Sequence, residues 1–117
     1  MLILLLLLTI AQSIYAQKVE DIDLSAKPEI QYIDIFSQPK GLSGKVVIVV
    51  NYGQAMKDLL DLHYVKDENG KNYQFNNLQD ALNKFYGWGW ELVTFYSEEN
   101  RYGDITHAVM KRKDKTP

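Results

Sequence analysis

The sequence predicts an α+β domain: a mainly antiparallel sheet of about five to six strands with one short amphipathic helix packed on it. Three stretches carry that expectation. Lys45 to Tyr52 reads Lys-Val-Val-Ile-Val-Val-Asn-Tyr, a β-branched run without alternation, as in a strand buried on both faces and central in its sheet. Leu78, Ala81, Leu82 and Phe85 fall at i, i+3, i+4 and i+7, a single apolar stripe on a helix. Trp90 to Tyr96 and Ile105 to Arg112 flank the polar Ser97 to Asp104 and read as a hairpin.

The chain begins with Leu2 to Ile10, almost entirely leucine and isoleucine, followed by Ala11-Gln-Ser-Ile-Tyr-Ala16 and polar sequence. That order describes a secretory signal peptide over residues 1–16. The run is shorter than the roughly 20 apolar residues of a membrane span, so no stable membrane insertion is expected after cleavage. No Lys or Arg precedes the run, and Ile14 is bulky two before Ala16. A buried terminal helix is the alternative, but five consecutive leucines leave no polar face. With no cysteine, the exported product can hold neither a disulfide nor a lipid-anchored cysteine. The expected location is periplasmic or secreted.

Residues 17–28 are polar, acidic and without period, as in a flexible leader. A single domain is expected over 29–113, with a short basic tail at 114–117. Glu29 to Phe36 is a strand dense in isoleucine and aromatics. Ser37 to Gly44 is a loop by its Pro and Gly content. Gln54 to Leu60 is compatible with one or two helical turns. Leu62 to Lys66 and Lys71 to Phe75 flank Asp67-Glu-Asn-Gly70, where Asn69-Gly70 signals a tight hairpin. Asn76 or Asn77 caps the helix, and Asp80 adds negative charge near its positive end. Gly87 is expected to take the left-handed conformation that ends the helix, and Gly89 to permit a second backbone adjustment. With hairpin register symmetric about the loop, Trp90, Leu92, Thr94 and Tyr96 share a face with Lys111, Val109, His107 and Ile105. Val93 and Phe95 then share the other face with Ala108 and Thr106.

Around the helix–strand corner, Leu82-Asn83, Phe85, Gly89-Trp90-Glu91-Leu92-Val93 and Met110-Lys111-Arg112 resemble the domain-of-unknown-function 4177 family. Lys45 to Gln54 and Asp67 to Lys71 resemble its larger exported relatives from Gram-negative bacteria. The family usually places a glycine four before the tryptophan, where this chain has Tyr86. The resemblance spans roughly residues 45–112 and implies a sheet-and-helix fold. It implies no activity.

The net charge of -2, with both signs spread along the chain, gives no basis for nucleic-acid binding. The cluster Lys111, Arg112, Lys113 and Lys115 reads as solvated charge. Trp90, at the helix–strand junction, is expected in the core with Leu78, Leu82 and Phe85, and Gly87 and Gly89 shape the corner. Trp88 is open to two readings: core, or a ring in an aromatic patch with Tyr86, Tyr96 and Tyr102 for stacking on sugars or peptides. His63 and His107 are the only histidines, and neither lies in a metal-ligand spacing. Asp61 and His63, at i and i+2, share a strand face. Glu91 beside Trp90 is one carboxylate without a visible partner. Asp67 to Gly70 lacks the ligand string of a calcium loop. No nucleophile elbow, P-loop or dinucleotide fingerprint is present, and no cofactor or metal is expected. The expected function is a non-enzymatic module that binds or self-associates through its sheet, as a homodimer or with a protein or peptide partner. A glycan- or peptide-binding module built on Trp88 is the alternative, and a small hydrolase ranks last.

Overall fold

The computed structural model describes residues 18–20, 22–58, 60–101 and 103–114. The expected signal peptide lies outside them, as does Tyr102. The fold is α+β. Strands β1 (Lys18–Val19) and β2 (Ile22–Asp23) form a small antiparallel pair. Strands β3 (Tyr32–Pro39), β4 (Val46–Asn51), β5 (Trp90–Asn100) and β6 (Gly103–Arg112) form a four-stranded antiparallel sheet in the order β4-β3-β6-β5. One helix, α1 (Leu78–Gly87), packs on it.

The apolar run of β4 is buried on both faces, as expected: Val47, Ile48, Val49 and Val50 are all buried. Its place is at the end of the strand order rather than the centre. The outer edge is nevertheless covered. Val46 exchanges backbone hydrogen bonds with Phe75, Val50 N–H donates to the His63 carbonyl, and Val65 N–H donates to the Ile48 carbonyl. The segments expected as full strands around Asp67 to Gly70 thus contribute short bridges, and the Asp67 side chain holds the turn by accepting from Asn69 and Lys71 N–H. Gln54 to Asp58 is not helical, with bends at Lys57 and Asp58.

Helix α1 starts as its sequence dictates. Asn77 caps it by accepting from Asp80 N–H at 2.8 Å, and Asp80 reaches back to Asn76 N–H at 2.9 Å. Ala81, Leu82 and Phe85 are buried against Ile33, Ile35, Ile48, Val50, Ala108 and Met110 from the sheet. Its end differs from expectation. Gly87 is still helical and has no positive φ; Gly89 makes the turn with φ +103°, its N–H donating to the Tyr86 carbonyl. Trp90 then enters β5 fully buried. Its indole N–H meets no acceptor among the described residues, a cost of about 1–3 kcal/mol. Truncating a buried aromatic costs about 3–5 kcal/mol, so packing wins.

The segment expected as a flexible leader is part of the core: Val19 and Leu24 are buried. Val19 bridges to Val65, and Glu20 N–H donates to the Tyr64 carbonyl. Arg112, expected among solvated basic residues, fastens this segment. Its Nε donates to the Ile30 carbonyl, its Nη2 to the Leu24 and Lys27 carbonyls, and its guanidinium lies 4.5 Å from the Trp90 ring centre. The polar composition of 17–28 hid this role, because two apolar side chains and a set of carbonyls suffice to dock it.

A bulge in β5 decides what the sheet displays. Leu92 pairs with Met110 and Thr94 with Val109, leaving Val93 as an extra residue. Trp90 and Leu92 therefore share the helix-side face with Arg112 and Met110, and not the face of Lys111 and Val109 that a regular register gives. Beyond the bulge, Thr94, Tyr96 and Glu98 lie with Val109, His107 and Ile105 on the other face.

Candidate functional site

The face of the sheet away from the helix carries Asp34 and Phe36 from β3, Val49 and Asn51 from β4, Tyr96 and Glu98 from β5, and His107 from β6. Gln54, Met56 and the segment from Asp61 to His63 border part of it. Between them lies a groove of about 360 Å³, to which Met56, Asp61, Leu62 and His63 supply the opposite wall. A volume near 300 Å³ is the low end of small-ligand sites.

His107 is the centre of one wall. Its ring is buried, with Nδ1 2.7 Å from Asp34 Oδ1 and Nε2 2.8 Å from Glu98 Oε2. Both nitrogens face only carboxylate oxygens, so the cluster holds a proton on each ring nitrogen or shares one with a carboxyl. The Tyr96 ring stacks on the imidazole at 4.6 Å, 11° from parallel, and Phe36 packs at 4.7 Å. Tyr96 Oη donates to Asp34 Oδ2. That bond, partial burial and the charges of Asp34 and Glu98 push the phenol up to about 12.

The facing wall repeats the theme. His63 Nε2 lies 3.3 Å from Asp61 Oδ1 and Nδ1 lies 3.2 Å from Tyr52 Oη. Asp61 and His63 meet, though in a segment that is not the strand expected there. Asp61 is held below the usual carboxylate range, first by the Lys57 N–H it accepts and then by His63. Burial, with the charges of Glu20 and Asp61, raises the Tyr52 phenol.

Three carboxylates and two imidazoles line the groove, with no Lys or Arg. With a proton in each contact to His107, that cluster carries one net negative charge, so the lining carries two with His63 neutral and one with His63 protonated. Apolar surface from Phe36, Val49, Met56 and Leu62 completes it. Among the described residues, no group of three or more His, Asp and Glu is arranged to hold a metal ion. A shallower hollow of about 290 Å³ beside the Asp67 turn, lined in part by Lys71 and Tyr73, brings no such groups together.

The aromatic residues singled out in the sequence do not meet in one place. Trp88 is half-buried behind the sheet, packed with Phe85, Tyr73 and Phe75 at 5.0–6.4 Å. Tyr86 is exposed under the Lys113 ammonium, 3.6 Å from its ring centre. Of those that are described, Tyr96 alone reaches the groove. Trp90, Leu82 and Phe85 are core, and Leu78 is packed against it. Glu91 forms a surface pair with Lys111 at 3.5 Å. Asp34, Glu98 and Tyr52 were not singled out in the sequence. Asp34 meets His107 only through the β3–β6 register, for which no local spacing exists; an isolated Asp between two core isoleucines was the available signal.

Family models, curated proteins and solved structures yield no match to this chain.

Proposed function

We propose that this protein is a non-enzymatic binding module whose groove holds the cationic head and short apolar stem of a ligand. The observation that carries this is the composition of the lining: carboxylates from three separate segments converge with apolar side chains, and against them stand two imidazoles and no Lys or Arg. A primary ammonium or guanidinium in such a site gains charge-assisted hydrogen bonds in partly desolvated surroundings. Catalysis is a weaker reading. A general base needs a nitrogen turned toward substrate, and all four ring nitrogens already face protein groups. The leucine-rich start supports a place in the periplasm or outside the cell.

The test is titration of the full chain with butylammonium, using butanol and butyrate as matched controls, followed by NMR. Saturable shifts at Tyr96, His63 and His107 are expected with the ammonium, with affinity on the order of millimolar for so small a ligand. Butyrate should produce none, and Asp61→Asn should weaken the ammonium response. Equal shifts with butyrate, or shifts outside the groove, would refute the reading.

A further inference from the structure

Strand β5 ends the four-stranded order, and among the described residues no strand pairs with its outer edge. Past the Val93 bulge, Thr94 to Glu99 is regularly paired with β6 on one side and exposed on the other. The edge therefore offers a row of main-chain N–H and C=O groups over the six residues from Thr94 to Glu99, about 20 Å of template. It borders the groove directly, because Tyr96 and Glu98 belong to both.

We infer that this edge docks an extended, basic peptide segment as an added strand, with one of its cationic side chains entering the groove. Resting on the groove reading above, this names the partner class of the same site. Charge selects the occupant. Glu98 and Glu99 project from the free stretch, which contains no Lys or Arg, and the groove beside it is acidic. A second copy pairing through β5 would bring four carboxylates into one short ladder with no cation on either strand, an arrangement that like charges destabilise. The pleat also sets a pattern for the partner. Side chains on the groove side lie beside Thr94, Tyr96 and Glu98, where Lys or Arg finds a ring face and a carboxylate. Those on the other side lie beside Phe95, Ser97 and Glu99, where apolar and small residues fit near Phe95. An alternating basic–apolar segment satisfies both.

The experiment uses the full chain and a capped heptapeptide alternating lysine and valine, measured by calorimetry. Two further forms carry N-methyl groups at either the odd or the even amides. One N-methyl register should weaken binding about tenfold to hundredfold, since it removes several hydrogen bonds to the edge, and the other should leave it within about threefold. A glutamate–valine heptapeptide should not bind. Equal loss or equal retention in the two registers overturns strand addition; if butylammonium still binds, the groove reading survives separately. Binding of the glutamate peptide overturns the assigned partner class. A β5-mediated dimer of the chain in light scattering overturns it in favour of a second copy.

Discussion

Deleting Val93 should dismantle the groove without touching a residue that lines it. In the bulged strand, Trp90 sits on the helix side while Tyr96 and Glu98 sit on the other. Because side chains alternate with period two, removing one residue while Trp90 stays buried turns every side chain from Thr94 onward to the opposite face. Tyr96 then loses Asp34, and Glu98 loses His107. The hydrogen bond to a charged acceptor is worth about 1.5–3 kcal/mol. The Glu98–His107 pair is discounted to about 0.5–1 kcal/mol, because the Glu98 side chain is 58% exposed. A total loss of about 2–4 kcal/mol follows, read from urea denaturation. The diagnostic readout is the Tyr96 phenol followed by NMR: near 12 in the parent, it should return toward the ordinary 10.0 in the deletion. If Tyr96 still titrates near 12 and stability is unchanged, the bulge does not set the face and the reasoning fails.

Arg112→Met should cost about 2–4 kcal/mol in denaturant, from three lost hydrogen bonds at about 0.5–1.5 kcal/mol each. Proteolysis in the same variant should cut first within 18–30, and a loss under about 1 kcal/mol would contradict the fastening role. Gly89→Ala should destabilise by about 1–3 kcal/mol because φ +103° strains any L side chain, while Gly87→Ala, facing open space in the helix, should gain up to about 1 kcal/mol. Thermal unfolding of the two variants checks the order, and equal effects would contradict the assignment of Gly89 as the terminator. Tyr96 is a phenol whose folded value is raised, so its contribution is complete below pH 10 and is lost as pH climbs from 10.0 to about 12. Tyr96→Phe should flatten that alkaline decline, leaving the smaller contribution of Tyr52 in the same direction.

Local rules carried the helix and the strands. The Asn77 cap and the Leu78–Phe85 stripe depend on residues near one another in sequence and lie where their patterns place them, and the β-branched run of β4 is the buried strand expected, at the end of the strand order and not its centre. The groove depends on two things that patterns do not encode. One is the pairing of β3 with β6, which brings Asp34 to His107. The other is the bulge, since Glu-Leu-Val-Thr reads as uninterrupted strand and nothing in it marks Val93 as supernumerary. Docking of residues 18–30 escaped for a related reason. Its affinity comes from backbone carbonyls, which every sequence has, meeting one arginine far down the chain.

The central seam of the sheet joins β3 to β6, so Tyr32 waits for Lys111 before it has a neighbour on that side. Such pairing has high contact order, and folding governed by it is slow. During synthesis, β4 emerges long before β6, and its valine-rich run spends that interval without the finished sheet around it. The last strand therefore acts as a completion signal: until Val109, Met110 and Arg112 arrive together, the chain has neither its seam nor its clasp. A ribosome stalled just short of that point would hold a sticky half-sheet, and holdase chaperones would be expected to engage this nascent chain at that stage.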